Sequence, residues 1–360
     1  MKRFFNLYSV MTICSILGLI GIFMINTMNP LRTVKREGVA MDTVIGVVAS
    51  AVKSSAELKK IVDDAFSLVV GLEKKFSMHD PDSEVSAVSA AAGRERVKVS
   101  SETFSVLAAA LHIAGASEGV FDPTIGAVTL CWQDKLLENE IPSGEEIRNA
   151  VSKTGFDALK LSAPDGAYLE KGSLDLGGIA KGFISEAVRG LLRARGVTSA
   201  LIDLGGNVVV MGGRPETRSG ERSPWRIGIQ HPARSRGTPI CTVELFEGSV
   251  ITAGDYERFW DVGGRRYTHI FDPASGRPIE GPLKSVTIVS NDPAQGDALS
   301  TAFMVMGEER AVELLRVFPR VEVIFVHEDE GKEYRVTATE GLRGSLMPSG
   351  GAEISFLAIQ

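Results

Sequence analysis

The strongest constraint on this chain is a long uncharged stretch near its start. No charged residue occurs between Arg3 and Arg32, and residues 10–25 are almost wholly apolar. With its flanks, residues 4–28, the stretch is long enough to cross a hydrocarbon layer of about 30 Å as a helix. No second stretch of this kind follows. The sequence therefore predicts a membrane-spanning helix within residues 1–30, followed by one water-soluble body.

The same segment could instead be a cleaved secretory signal, because Lys2 and Arg3 precede the apolar run. However, no Ala-x-Ala cleavage site follows the run, and Cys14 stands too early in it for a lipid-attachment site. An uncleaved anchor is therefore favoured. Basic residues flank the segment at both ends, so charge alone does not set its orientation.

Composition excludes several classes of protein. Hydrophobic residues make up 44% and charged residues 23% of the 360 residues, which argues against wholesale disorder. A net charge of -6 gives no reason to expect nucleic acid as a partner. The three cysteines stand far apart without a Cys-x-x-Cys pair, so a zinc ribbon, an iron–sulfur cluster and a disulfide scaffold are disfavoured. The P-loop, Rossmann and His-Glu-x-x-His motifs are absent from the sequence.

Hydrophobic spacing predicts long helices first and many short strands later. Helical periodicity marks residues 54–76, 103–117, 143–154, 180–195, 296–306 and 308–317. Strand patterns mark residues 43–51, 167–175, 200–211, 226–230, 242–245, 249–253, 266–271, 285–290, 321–327 and 333–338. Because strands and helices do not alternate strictly, the order favours an α+β fold with mixed and antiparallel sheets and flanking helices. We expect two intimate lobes within residues 40–345, followed by a tail, residues 346–360.

Two glycine-rich turns share the letters Asp-Leu-Gly-Gly. In the first, a predicted strand ends at Asp175, two glycines follow, and a helix begins with Lys181 in its first turn. Free N–H groups at a helix start suit a phosphate, although an ordinary strand-to-helix turn would look the same. The second turn ends at Asn207, and there we expect a turn inside a sheet, with Asn207 satisfying loop backbone.

Two further segments carry groups suited to catalysis. His269 lies on a predicted strand, where it could act as a general base or simply pack on the strand face. Asp297 stands where a helix should begin, with Thr301 one turn later on the same face. A carboxylate and a hydroxyl are hard ligands that suit Mg²⁺, but a capping Asp with a Thr bonded back to a carbonyl fits the same spacing.

Together these segments resemble one family. The motifs that carry the resemblance are Met41-Asp-Thr43, Glu73-Lys-Lys-Phe-Ser77, Asp82-Ser-Glu-Val-Ser86, Gly119-Val-Phe-Asp-Pro-Thr124, Asp175-Leu-Gly-Gly-Ile-Ala-Lys-Gly182, Asp203-Leu-Gly-Gly-Asn207, Trp225-Arg-Ile-Gly-Ile-Gln-His-Pro232, Ser249-Val-Ile-Thr-Ala-Gly-Asp-Tyr-Glu-Arg258, and residues 267–278 and 297–302. In this order and spacing they resemble the ApbE family, the FAD:protein FMN transferases, over about residues 40–340. Each motif alone is weak, and their common register carries the resemblance.

The resemblance implies an Mg²⁺-dependent enzyme with an ApbE-like fold. Such an enzyme binds FAD, cleaves its pyrophosphate, transfers FMN to a Thr or Ser hydroxyl of a partner protein and releases AMP. Acceptors in the family are typically subunits of membrane redox complexes outside the cytoplasm. We therefore expect the N-terminal helix to lie in the lipid of the inner membrane, with the catalytic body on the periplasmic side.

The resemblance also implies roles for individual residues. His269 is expected to be the general base. The expected metal ligands are Asp297, Thr301, Ser300 and the backbone carbonyl of Gly178. Asp175 should recognise FAD, and Lys181 should lie near its phosphates or its adenine side. The remaining residues expected to line the flavin and adenine pocket are Met41, His79, Val120, Phe121, Asp122 and Ile270.

Two positions depart from the family pattern. The family usually has Met-Gly-Thr where this chain has Asp42, and it often has an aromatic residue where His79 stands. Neither departure touches the expected metal site. Two other functions remain open at this stage: hydrolysis of FAD to FMN and AMP, and non-catalytic flavin binding at a membrane.

Overall fold

The computed structural model describes residues 31–216, 221–331 and 333–358 and has a mixed α+β fold. The helices in this part of the chain are α1 (Ser55–Phe76), α2 (Glu84–Ala90), α3 (Ser101–Ala116), α4 (Gly126–Leu137), α5 (Gly144–Val151), α6 (Ala180–Ala194) and α7 (Pro293–Leu315).

Four of these helices have a serine as their N-cap. Ser54, Ser83, Ser100 and Ser143 each accept a hydrogen bond from the backbone N–H three residues on, which satisfies a donor that the helix leaves free. At Ser143 the Glu146 side chain also bonds back to the serine N–H, which completes a capping box. Helix α4 was not predicted from the sequence, and it begins after Ile125 without a side-chain cap.

The strands are β1 (Leu31–Ala40), β2 (Thr43–Val52), β3 (Val97–Lys98), β4 (Leu159–Ser162), β5 (Gly166–Leu169), β6 (Ser199–Leu204), β7 (Asn207–Met211), β8 (Arg214–Pro215), β9 (Arg222–Ser223), β10 (Trp225–Gln230), β11 (Pro239–Leu245), β12 (Gly248–Gly254), β13 (Phe259–Val262), β14 (Arg265–Thr268), β15 (Phe271–Asp272), β16 (Arg277–Pro278), β17 (Leu283–Ser290), β18 (Glu322–Glu328), β19 (Tyr334–Thr339), β20 (Leu346–Pro348) and β21 (Ile354–Leu357). Nine of them form one sheet in the order β1-β2-β6-β7-β12-β17-β18-β19-β21. The pairs are antiparallel except β19 with β21, so the sheet is mixed.

The inner strands of the nine-stranded sheet, such as β7, β17 and β18, are buried on both faces. On β7, Val209 and Met211 belong to the cluster that includes side chains of α1, α6 and α7, whereas Val208 and Val210 belong to the cluster that includes β10, β11 and β20. This split follows the two-residue period of a strand. A third apolar cluster surrounds Trp132 of α4, whose indole N–H donates to the Gly276 carbonyl at 2.7 Å.

Both predicted ends of the main domain differ from the structure. Strand β1 begins at Leu31, about ten residues before the predicted start at 40, and pairs with β2 along its whole length. At the other end, residues 346–360 are not a separate tail, because β20 pairs with β11 and β21 pairs with β19. These three strands are short or largely exposed, so hydrophobic spacing alone did not reveal them.

The predicted membrane helix within residues 1–30 lies outside the described residues. Among the residues that the structure does describe, no helix combines the length and apolar character needed to cross a bilayer.

Two tight turns bring predicted motifs into the sheet. Met41 and Asp42 join β1 to β2 as a two-residue turn, and their φ angles are 52° and 56°. Two positive φ values are the requirement of a type I′ hairpin turn. Gly205 and Gly206, with φ of 69° and 96°, join β6 to β7 in the same way. The predicted single strand over residues 200–211 is therefore a hairpin of two strands. This agrees with the expected turn inside a sheet.

The turn explains how the chain accommodates Asp42 where the family usually has glycine. Asp tolerates positive φ better than most residues, and alanine tolerates it less well than glycine by about 1–2 kcal/mol. We expect the Asp42→Gly variant to be at least as stable as the parent chain. The Asp42→Ala variant should be about 1 kcal/mol less stable than Asp42→Gly, as measured by urea unfolding. The exposed helical substitution Lys59→Ala is the control and should change stability by less than about 0.5 kcal/mol. Equal stability of the Asp42→Ala and Asp42→Gly variants would contradict this assignment.

Candidate active site on the Asp175–Gly182 segment

The first glycine-rich motif is a turn that leads into α6. The strand predicted to end at Asp175 ends at Leu169 instead, because residues 170–175 cross to the start of α4. There the Asp175 N–H donates to the Pro123 carbonyl at 2.8 Å. The Asp175 carboxylate accepts the Gly177 N–H and the Thr129 hydroxyl, both at 2.7 Å. The carboxylate is thereby oriented, yet it remains half-buried and has lone pairs left for a ligand.

Helices α6 and α7 approach each other closely at Gly182. A Cβ atom at this position would lie 2.0 Å from the Pro293 carbonyl oxygen and 2.8 Å from the Asp297 Cβ, so only glycine fits. The close approach lets the Gly182 N–H, in the first turn of α6, donate to Asp297 Oδ2 at 2.9 Å. The Asp297 side chain, 4% exposed, is therefore paired with the N-terminal end of a neighbouring helix.

The predicted start of α7 at Asp297 is wrong. Asp292 caps the helix by accepting the Gln295 N–H at 3.0 Å, and Pro293 follows as its first residue. Asp297 therefore lies more than one turn inside α7, where its carboxylate is free to point at another element. The predicted interruption of this helix is confirmed at Gly307, whose φ of 79° and ψ of 168° are not helical.

The structure contradicts our expectation that the Asn207 side chain satisfies loop backbone. Its side-chain amide donates to Asp297 Oδ1 at 2.8 Å, and the residue is 1% exposed. Sequence reasoning missed this contact because the two residues are 90 positions apart. The only signal in the sequence was that the residues after the second glycine pair have the pattern of a buried strand. That pattern places Asn207 inside the sheet rather than on a loop.

Thr301 lies against the glycine turn. A Cβ atom at Gly178 would be 3.1 Å from Thr301 Oγ1 and 3.1 Å from Phe121 Cε2, so the glycine leaves a small cradle between the two side chains. The Thr301 and Ser300 hydroxyls both donate to the Asp297 carbonyl, at 3.3 and 2.8 Å. Thr301 is half-buried, whereas Ser300 is 1% exposed.

These residues fit a divalent cation that is shared with a phosphate-bearing ligand. Asp297 and Thr301 supply hard oxygen atoms that keep unused lone pairs, and the cradle at Gly178 leaves room beside them. Within residues 31–216, 221–331 and 333–358, no cluster of three or more His, Cys, Asp or Glu side chains could hold a metal alone. A single carboxylate with a hydroxyl and a carbonyl is the donor set expected where substrate phosphates complete the coordination.

His269 has a defined tautomer and a low pKa. Its Nδ1 lies 2.9 Å from the Arg258 carbonyl oxygen, which can only accept, so Nδ1 carries the proton and Nε2 carries the lone pair. Burial lowers the pKa of His269 to about 4, and the charges of Lys181 and Arg258 add to the effect while the Arg258 carbonyl opposes it. The imidazole is therefore a neutral base at physiological pH.

Arg258 joins His269 to the β1–β2 turn. Its guanidinium donates to the Met41 carbonyl at 2.8 Å, and Glu73 accepts the Met41 N–H at 2.6 Å. Met41 thus has both backbone groups bonded to charged side chains, which hold it at positive φ. Arg258 therefore holds both Met41, which is expected in the flavin pocket, and His269, which is the expected base.

Lys181 and Ile270 lie close to this arrangement. Lys181 is half-buried in the first turn of α6, near enough to His269 to affect its pKa, and its ammonium makes none of the ion pairs found among the described residues. Ile270 is 5% exposed and its carbonyl accepts the Ile279 N–H at 3.0 Å. A free cation next to a neutral base suits a phosphate group.

The loop between α3 and α4 holds the remaining predicted pocket residues. Phe121 is 4% exposed and reaches the Gly178 turn, while Val120 is half-buried. The Asp122 carboxylate accepts the Thr124 N–H and hydroxyl, both at 2.7 Å. Burial raises the pKa of Asp122, and these hydrogen bonds oppose that shift. The structure thus gives Asp122 a clear part in shaping the turn.

One cavity borders the segment, and a larger one lies elsewhere. His79 is exposed on a cavity of about 340 Å³ whose walls include Ser173 and Leu174, directly before Asp175. A larger cavity of about 780 Å³ contains none of the predicted site residues. One of its walls is Val305, which lies four residues beyond Thr301 on the same side of α7. Val305 belongs to the same helix as Thr301, but the predicted site lies outside the larger cavity.

The chain is similar to known proteins over most of its length. The model of the ApbE family matches residues 41–325. The chain is 33% identical to the FAD:protein FMN transferase of Treponema pallidum over 322 residues, which cover 86% of this chain and 88% of the relative. It is 31% identical to the transferase of the same description from Klebsiella pneumoniae, over 79% of this chain and 87% of the relative.

Solved structures agree with the fold. The crystal structure of the ApbE protein from Thermotoga maritima superposes with a TM-score of 0.75 at 31% identity, covering 84% of this chain and 96% of that one. The flavin transferase ApbE from Vibrio cholerae superposes with a TM-score of 0.75 at 26% identity, covering 88% of this chain and 100% of that one.

Proposed function

The chain belongs to the ApbE family, and we propose that it is a transferase that moves FMN from FAD to an acceptor protein and releases AMP. One observation in the structure supports this most strongly. The segment from Asp175 to Gly182 contacts Thr129, Thr301 and Asp297, and it carries Lys181 close to His269. Residues proposed for FAD, its phosphates and the metal thus lie on or contact one short segment, and a charge on that segment acts on the proposed base.

The reaction proposed here is a phosphoryl-type transfer. The acceptor hydroxyl, of Thr or Ser, attacks the phosphorus of the FMN phosphate, and an oxygen–phosphorus bond forms as the bond to the AMP phosphate breaks. The hydroxyl proton moves to His269 Nε2, and AMP leaves with the bonding electron pair. A neutral imidazole is required for this, since an alcohol is a weak nucleophile until a base takes its proton. Lys181 is placed to offset phosphate charge.

Asp297, Thr301 and the Gly178 carbonyl are proposed to hold Mg²⁺. When bound, the ion supplies a Lewis acid that offsets charge on the pyrophosphate. Ser300 is the weaker of the two hydroxyl candidates, because it is buried, whereas the Thr301 hydroxyl is among the atoms nearest to the Gly178 cradle. Asp175, His79, Met41, Ile270 and the loop from Val120 to Asp122 are proposed to line the FAD pocket.

Transfer and hydrolysis can be separated directly. The chain is incubated with FAD, Mg²⁺ and a candidate acceptor, namely an extracytoplasmic flavoprotein subunit of a membrane redox complex. Transfer predicts flavin fluorescence that remains on the acceptor after denaturing electrophoresis, and its loss when the acceptor Thr or Ser is replaced by Ala. Hydrolysis predicts FMN and AMP in solution with an unlabelled acceptor. A flavin carrier without catalytic activity would leave FAD intact, with or without Mg²⁺.

We further propose that residues 1–30 anchor the enzyme in the inner membrane, with the catalytic body in the periplasm. The apolar length of residues 4–28 supports the anchor. A shortened chain that begins at Leu31 keeps all of β1, so it should fold, remain active and leave the membrane fraction. In intact cells with a permeable outer layer, added protease should digest the full-length body. Protection until the inner membrane is lysed would place the body in the cytoplasm instead.

A further inference from the structure

The second glycine-rich motif has no role in the proposed reaction, yet its last residue is deeply buried at the site. The Gly205–Gly206 turn ends β6 and sets Asn207 as the first residue of β7. A Cβ at Gly205 would lie 2.5 Å from the Thr43 side chain, so the turn fits tightly against the start of β2. The position of Asn207 is therefore fixed by the sheet rather than by a mobile loop.

The Asp297 carboxylate receives one hydrogen bond on each oxygen, from two different elements. Asn207 Nδ2 donates to Oδ1 at 2.8 Å, and the Gly182 N–H donates to Oδ2 at 2.9 Å. Two donors on opposite oxygens fix both the position and the plane of a carboxylate. Each oxygen still has a lone pair that no residue in the described part of the chain uses.

The type of donor matters as much as its position. A buried carboxylate needs partners, because leaving it without hydrogen bonds costs several kcal/mol. Lysine or arginine would provide them but would also cancel the negative charge that attracts a cation. An amide donates a hydrogen bond and carries no net charge. Asn207 therefore holds Asp297 in place while leaving its charge available.

We propose that Asn207 is a positioning residue that orients Asp297 toward the metal. This inference rests on the proposed function, because it assumes that Asp297 binds Mg²⁺. Residues that hydrogen-bond a metal ligand typically change metal affinity about 10- to 100-fold when they are replaced. Asn207 should act on Mg²⁺ affinity and leave the affinity for FAD without metal nearly unchanged.

The test compares Asn207→Leu, which keeps similar volume but has no donor, with the parent chain. The Mg²⁺ concentration that half-saturates FMN transfer should rise about 10- to 100-fold. A second readout is independent of activity: with FAD present, the rise in Tm on adding Mg²⁺ should need a similarly higher concentration. If Asn207→Leu does not fold, Asn207→Ala is measured at lower temperature with the same expectation.

Ser249→Ala is the matched control. Ser249 lies in β12, next to β7, is fully buried and donates to the Ser290 carbonyl at 2.9 Å. Its removal should lower Tm without moving either Mg²⁺ titration. The proposal is overturned if the Asn207 variants also lose only Tm. The proposal is also overturned if the parent chain transfers FMN without any response to Mg²⁺. In that case the proposed metal is wrong, and not only the role of Asn207.

Discussion

Replacement of Asp297 by alanine is expected to lower the rate of FMN transfer by about 10³-fold or more. The variant lacks the one carboxylate among the proposed metal ligands, and a metal that offsets charge on the reacting phosphates contributes several kcal/mol. Each 1.36 kcal/mol corresponds to a factor of ten in rate. The rate is measured as covalent flavin on the acceptor, across a range of Mg²⁺ concentrations.

The same substitution should also destabilise the protein. Gly182 N–H and the Asn207 amide both lose their acceptor in a buried place, at about 1–3 kcal/mol for each unsatisfied group. Rates must therefore be compared at a temperature where the variant is folded by circular dichroism. Asp292→Ala is the matched control, because it removes the cap of the same helix at about 1 kcal/mol without touching the site. A folded Asp297→Ala chain with the parent rate would contradict the metal assignment.

Replacement of His269 by alanine or asparagine is expected to slow transfer by about 10²- to 10⁴-fold, the usual contribution of a general base. The affinity for FAD should change little, because the proposed flavin and phosphate contacts come from other residues. His112→Asn, on the exposed side of α3, should leave the rate unchanged. Equal losses of FAD affinity and rate would instead identify His269 as a binding residue.

The pH profile gives a second test of His269. The imidazole acts as a base only when it is neutral, which is the case above its pKa of about 4. In the free enzyme, kcat/KM for transfer should therefore stay level from pH 8 down to about 5 and fall only as the pH approaches about 4. An ordinary histidine would show the fall near 6.5. An inflection near 6.5, which disappears in His269→Asn, would contradict the low pKa.

Much of the local structure could be predicted from the sequence, because its causes are local. The apolar stripe of α1 and the serine caps of α1 and α5 depend on residues within four positions of one another. The start of α7 was misplaced although a local signal existed. Asp292 followed by Pro293, with Gln295 three residues after the cap, marks a helix start better than Asp297 does.

The resemblance placed the candidate residues, but it did not indicate how they are held. The structure brings Thr301 next to Gly178, both of which were expected to bind the metal, and the charge of Lys181 acts on His269. The hydrogen bond from the His269 ring to the Arg258 carbonyl, which selects the His269 tautomer, was not foreseen. A backbone carbonyl has no residue type, so no sequence pattern points to it.

By itself the sequence determined five of the seven described helices and seven of the nine strands of the large sheet, and it showed which residues could carry the chemistry. Only the tertiary structure decided that Gly182, Asn207 and Asp297 meet. The hydrogen bonds to Asp297 span 115 and 90 residues. They exist because α6 packs against α7 at a glycine and because β7 begins directly after a two-glycine turn. Contacts of this kind depend on how whole elements pack. The periodicity of one segment does not indicate which other segment it will contact.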